Sequence, residues 1–392
     1  MSPSLAMLDH ILGAWDPETP AVLGTLVDLQ GSGYRRPGAR ILIQADGTTS
    51  GTISGGCLER DVARNAFRWA SEGATVVAFD TRRGAMGEVD LYGTGCEGVV
   101  HLCLEPVGPD HGESPLKLIA DARERREALT LVTAHHVSWP GVPLGLMAYD
   151  NGQGPQIVRA VSDAIATPLR AIMGEARTRG RTQGLHVTGN QVCRALVEHI
   201  APPKQLLIVG TGLDAQILAQ MAQPMGWHVT VTGRDTLALG RIAATGARTV
   251  MLPPRPTMED LPLGPHTAVV LMSHNLAIDT AVLPLALSSD APYVGLLGPR
   301  ARTGRLMSTL MASGIRITPT QLARLATPIG LDLGGEEPVE VALSIIGQIV
   351  ARSHGRVGAE LVGGQGQIHT PHPITETRAC PASAEAQETP WS

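Results

Sequence analysis

Two cysteines sit in glycine-flanked loops, each close to a carboxylate: Cys57 in SGGCLE, near Glu59, and Cys96 in GTGCEG, beside Glu97. Glycine lets the backbone approach a ligand closely. Gly55 and Gly56 stand where a helix is expected to start. That places Cys57 in its first turn, where the helix dipole favours a thiolate. A thiolate attacks, carries sulfur or ligates a soft metal. Upstream, GSGYRRPG puts Arg35 and Arg36 in a loop, and guanidinium forks hold phosphate bidentately. Arg35, Arg36, Gly55, Gly56, Cys57, Glu59 and Cys96 are therefore candidates to bind an anionic, sulfur- or metal-bearing ligand, with Cys57 the candidate metal contact. The spacing is not C-x-x-C and no histidine pair accompanies it, which argues against structural zinc. Cys103, inside an expected strand, and Cys193, on an expected helix, read as small buried hydrophobes. The same reading, core or solvated, suits His135, His136, His369 and His372.

A second loop is of another kind. In LLIVGTGLDAQ a strand ends in Gly210-x-Gly212-x-x-Ala215 and runs into a helix. This is the dinucleotide fingerprint: a glycine for the turn, a glycine for phosphate approach, and a small residue packing helix on sheet. Gly210, Gly212 and Ala215 are thus candidates to bind NAD(P) or another nucleotide. The acid that usually ends the second strand is absent, since VTVT runs into Gly233-Arg234-Asp235. Arg234 would favour a 2′-phosphate, Asp235 could reach back to the ribose, or the frame binds nothing.

The elements that must position these loops follow from apolar patterning. AVLGTLVDL (21–29), RILI (40–43), ATVVAF (74–79) and VVHLCLE (99–105) read as strands. Between them Leu58, Val62, Ala66 and Trp69 recur at helical spacing. The middle of the chain alternates weaker signals and its topology stays unassigned. After Pro202-Pro203 strands and helices alternate regularly, which implies a parallel sheet covered on both faces. Helices are expected at 276–288, 300–313 and 337–352. The predicted fold class is α/β: an N-terminal α/β domain at 1–200 with Gly-rich loops (core about 21–105), and a Rossmann-like doubly wound sheet at 203–355. Residues 356–392, rich in Gly, His, Pro, Thr and Ala, read as a flexible tail.

Composition removes several function classes. The net charge is −5 and aromatics are 3% of the 392 residues, so neither a basic footprint nor a stacking platform for nucleic acid is present. No run approaches the roughly 18 apolar residues of a membrane span. Asp9, Asp16 and Glu18 replace the basic region of a signal peptide. Five cysteines, an odd number in a long chain, are no disulfide framework. A cytoplasmic protein with reduced thiols is expected.

GSGYRRPGARILI, DGTTSGTISGGCLERDV and YGTGCEGVV resemble the N-terminal signature of the XdhC/CoxI family. TAVVLMSHNLAIDTAVLPLAL, YVGLLGPRAR and TPIGLDLGGEEPVEVALSIIGQIVA resemble its C-terminal Rossmann half. The SGGC form is closer to the CoxI-like branch, and Asp279 matches the family pattern. Gly233 and Glu97 depart from it. The resemblance implies a non-catalytic chaperone for molybdenum hydroxylases of the xanthine or carbon monoxide dehydrogenase type. It would bind the molybdenum cofactor (molybdopterin, or its cytosine dinucleotide form), shield it during sulfuration and deliver it to the apo hydroxylase. A cysteine desulfurase as sulfur donor and a homodimer are also implied. The residues leave other readings open: an NAD(P)-dependent oxidoreductase, for which no catalytic residue is nominated, a sulfurtransferase with a persulfide on Cys57, or an adaptor without cofactor.

Overall fold

The structure, a computed structural model, describes residues 5–82, 98–139, 142–158, 161–188, 192–362 and 373–378. Cys96, Glu97, His369 and His372 lie outside the described residues. The chain divides into two compact units, Met1–Pro202 with His369–Ser392, and Pro203–Ile368.

The N-terminal unit opens with helix α1 (Leu5–Ala14) and strands β1 (Ala21–Gly31), β2 (Arg40–Gln44) and β3 (Thr49–Gly51). Helix α2 (Glu59–Trp69) leads to β4 (Thr75–Asp80) and β5 (Gly98–Val107). These strands form an antiparallel sheet in the order β3-β2-β1-β5-β4. Strand alternation gives the sheet two apolar faces. One carries Val22, Leu26, Ile41, Ile43, Leu102 and Leu104 and is covered by Val62 and Ala66 of α2. The other carries Leu23, Leu42 and Val107 and packs on Ile11 of α1.

The segment left unassigned from sequence holds α3 (Pro115–Arg125), β6 (Leu129–Val137), β7 (Gly145–Asp150), β8 (Gln156–Ile157), α4 (Asp163–Arg179), β9 (Gln183–Thr188) and β10 (Cys193–Ile200). Its strands make a second sheet in which β9-β10-β6-β7-β8 pair antiparallel. Ile165, Leu169, Ile172, Met173 and Ala176 form the apolar stripe of α4 on one face. Helices α1 and α3 cover the other through Leu8, Leu118 and Ile119, so they lie between the two sheets. Where the sheets meet, Arg40 and Glu198 form a buried bidentate pair at 2.8 and 2.5 Å, both side chains 1% exposed. Cys193 was expected on a helix and stands instead in β10. That strand is internal in its sheet, with Arg194 alone exposed, so both faces are buried and the period-2 signal is erased.

The second unit alternates as expected: β11 (Gln205–Val209), α5 (Leu213–Ala222), β12 (His228–Gly233), α6 (Thr236–Ala243), β13 (Arg248–Met251), β14 (Thr267–Leu271), α7 (Leu276–Ser288), β15 (Tyr293–Leu296), α8 (Arg300–Ala312), α9 (Pro319–Arg324), β16 (Leu325–Ala326) and α10 (Pro338–Ser353). All its strands are parallel, in the order β13-β12-β11-β14-β15-β16. Helices α5 and α10 cover one face and α7 and α8 the other, a doubly wound Rossmann-like sheet. On α10, Ala342, Ile345, Ile346 and Ile349 share one side, and each isoleucine contributes about 1.5–3 kcal/mol by burial.

The segment expected as a flexible tail departs from that expectation over β17 (Ile374–Arg378). This strand pairs in parallel with β9 of the N-terminal unit, from Ile374↔Gly184 to Arg378↔Thr188. Ile374, Thr375 and Thr377 are β-formers, but the surrounding polar composition masks so short a signal.

Candidate functional site

Three loops and a strand meet at one end of the first sheet around a cleft of about 300 Å³, counted to its open mouth. Its lining includes Tyr34 and Arg35 from the loop after β1, Ser54 and Cys57 from the loop before α2, and Thr81 just past β4. Thr81 ties the floor by donating from Oγ1 to the Gly98 carbonyl at 2.8 Å. Gly98 is required there, because a Cβ would lie 2.4 Å from the Ser32 carbonyl oxygen.

Arg35 is half-buried, with its guanidinium carbon 5.3 Å from the centroid of the Tyr34 ring. Its Nε is buried without a hydrogen-bond partner among the described residues, a donor left over for a ligand. The ring of Tyr34 also lies over Gly55, where a Cβ would come within 3.0 Å of it. Cys57 is half-buried, with Sγ 3.8 Å from the Ser54 carbonyl. The helix begins at Glu59, with Leu58 as N-cap, so Cys57 precedes it rather than standing in its first turn. Cys57 therefore stands outside the turn in which the helix dipole acts.

The glycine loop holds an anion already, and that anion is the Glu59 carboxylate. Its Oε1 accepts from Thr52 Oγ1 at 2.7 Å, from the N–H groups of Ile53 and Ser54 at 2.9 Å each, and from that of Gly55 at 3.2 Å. Its Oε2 accepts from Ser54 Oγ and from the Gly56 N–H. Burial raises its pKa, but the hydrogen bonds from Ser54, Thr52 and Ile53 outweigh this and hold the carboxyl at about 2. The backbone donors expected to serve a ligand are thus engaged from within. Arg36, Gly55, Gly56 and Glu59 are not among the residues that line the cleft, and Glu59 acts on it by holding the Ile53 and Ser54 backbone. Tyr34, Ser54 and Thr81 were not nominated from sequence. Tyr34 stands beside the two arginines of the GSGYRRPG loop, whereas Thr81 carries no local signal.

In the second unit the crevice at the β11/β14 switch point holds the fingerprint loop on one side and Ser273-His274-Asn275 on the other. Gly210 has φ +145, and a Cβ on it would lie 2.4 Å from the Met272 carbonyl oxygen. Gly212, the N-cap of α5, has an ordinary φ of −68 and only His274 Cδ2 near, at 4.0 Å. Ala215 is fully buried in the core between helix and sheet. Gly210→Ala is therefore expected to cost at least about 2 kcal/mol, and Gly212→Ala no more than about 1 kcal/mol. Thermal melts of the two variants would check this. Asp279 is buried and accepts from Ser273 Oγ and from Arg302, both at 2.6 Å, tying α7 to α8. Among the described residues no group of three or more His, Cys, Asp or Glu side chains could hold a metal ion. None of the described helices is long and apolar enough to cross a membrane.

The XdhC and CoxI family model matches residues 14–80, which carry Tyr34, Arg35, Ser54 and Cys57, and the XdhC Rossmann domain model matches 206–349. The chain belongs to the XdhC/CoxI family. Among its XdhC/CoxI relatives, a probable subunit of xanthine dehydrogenase from Bacillus subtilis (strain 168) is 26% identical over 362 residues, 88% of this chain and 96% of that protein. The molybdenum cofactor insertion chaperone PaoD of Escherichia coli (strain K12) is 25% identical over 332 residues, 84% of this chain and 83% of that one. The crystal structure of a protein described as a xanthine dehydrogenase, from Bacillus halodurans, superposes with a TM-score of 0.69. It is 24% identical and covers 92% of this chain and 98% of its own, which establishes the shared XdhC/CoxI fold.

Proposed function

We propose that this protein is a maturation chaperone that binds the molybdenum cofactor and passes it to an apo molybdenum hydroxylase. The observation that carries this reading is the cleft where the Cys57 thiol stands with the Arg35 Nε, which has no hydrogen-bond partner among the described residues. The cofactor combines a phosphate, a dithiolene and a metal. A guanidinium suits the phosphate and a thiolate the soft metal centre. Cys57 is the one thiol among the described residues of the cleft, so the dithiolene brings the remaining soft ligands with it. The names of the B. subtilis and E. coli relatives support the same assignment. In this reading the cofactor is shielded during sulfuration, a cysteine desulfurase supplies the sulfur, and a homodimer is the working form.

The test is bound molybdenum, measured by elemental analysis after anaerobic purification from a cofactor-producing host. Cys57→Ser keeps the volume and removes the soft ligand, so retention should fall at least about tenfold, or 1.4 kcal/mol, while circular dichroism stays unchanged. Cys103→Ser and Cys193→Ser are the controls. Burial pushes the Cys103 thiol well above its usual range and that of Cys193 up to about 11, so neither supplies a thiolate. A parent protein that retains no molybdenum sinks the assignment. Full retention by Cys57→Ser removes the thiol from it.

A further inference from the structure

The fingerprint loop is the mark of a dinucleotide site, and the strand ends determine whether a dinucleotide fits. In such sites the acid that hydrogen-bonds the adenosine ribose ends the second strand. Here that strand, β12, ends in Gly233, which is buried. A Cβ on Gly233 would lie 2.5 Å from Cγ2 of Thr211. No side chain fits there while that methyl is in place. Thr211 is the residue between Gly210 and Gly212, so the fingerprint loop itself occupies the space the acid would need.

The neighbours do not substitute for the missing acid. Arg234 donates to the carbonyls of Pro253 and Pro254 at 3.2 and 3.0 Å. Asp235 caps α6, accepting from the Ala238 N–H at 3.0 Å. Asp214 adds a carboxylate in the first turn of α5, the turn a pyrophosphate approaches, and stands 3.7 Å from His274 Nε2. The first fingerprint glycine has a packing role as well, since Gly210 lets its loop pass the Met272 carbonyl.

We propose that Thr211 closes the Rossmann crevice to NAD and NADP, so that this unit has kept the dinucleotide fold without the coenzyme's adenosine half-site. The inference is independent of the cofactor assigned to the N-terminal unit, and its test involves no molybdenum.

Calorimetry would titrate NAD and NADP separately into the full-length protein, into Thr211→Gly, and into Thr211→Gly/Gly233→Asp. The single variant empties the space and the double variant restores a strand-end acid. The parent should show no saturable binding of either coenzyme at millimolar concentration. The double variant should bind NAD at least about tenfold more tightly than the parent. Thr211→Gly alone should bind between them, which keeps the test decisive where the double variant fails to fold by circular dichroism. Micromolar binding of NAD or NADP by the parent overturns the proposal. Folded variants that still take no dinucleotide overturn the assignment to Thr211.

Discussion

Glu198→Gln is expected to destabilise the N-terminal unit by about 3–5 kcal/mol, because it leaves the Arg40 guanidinium buried without its counter-charge. That is a large part of the roughly 5–15 kcal/mol that holds a typical domain together. Arg40 also donates to the Gly38 carbonyl at 3.0 Å, so its charge has no route to water without moving the loop before β2. The double variant Arg40→Met/Glu198→Gln removes both charges and should recover most of the loss, since an apolar replacement of a buried pair is often neutral. Urea denaturation of the parent, the single and the double variant would measure both quantities. A single variant as stable as the parent would mean that water reaches the pair.

The second large effect is expected at Glu59. Glu59→Gln exchanges one acceptor oxygen for an amide that faces N–H donors, and the charge is lost from the rest. A cost of about 2–3 kcal/mol follows from unsatisfied donors and weakened charge-assisted bonds. The wall of the cleft is built by those bonds, so retained molybdenum should fall as well. The pH dependence has a definite sign. The carboxyl ordinarily titrates near 4.5 and is held at about 2 in the folded protein. Its contribution is therefore complete above about 4.5 and disappears as the pH drops toward 2. The stability gap between parent and Glu59→Gln should be constant at neutral pH and close across that acid window. A gap that stays open down to pH 2 would mean the charge is not what holds the loop.

The Rossmann half was legible because its signals are local. The apolar run of β11, the glycines after it and the apolar stripe of α10 each lie within one element. The cleft was only half legible. Arg35 and Cys57 announced themselves by residue type, but Thr81 and Val100 reach it through the pairing of β4, β5 and β1, which no local pattern encodes. Glu59 was picked out as a ligand contact, and its carboxylate is bonded to its own loop. A carboxylate beside a glycine loop serves a ligand or its own backbone, and the difference is a matter of loop closure. The Arg40–Glu198 pair joins residues 158 positions apart, beyond any window that periodicity covers.

Strand β17 has a consequence for how the protein is made. Its partner, β9, precedes the whole second unit, and Thr188 Oγ1 donates to the Thr377 carbonyl across 189 positions of chain. During synthesis the ribosome must finish Pro203–Ile368 before β17 exists. Until then β9 is an open sheet edge, the kind of surface that pairs with other chains. Closing so long a loop is also slow relative to local contacts. The nascent chain thus passes through an interval in which β9 has been made and its partner strand β17 has not.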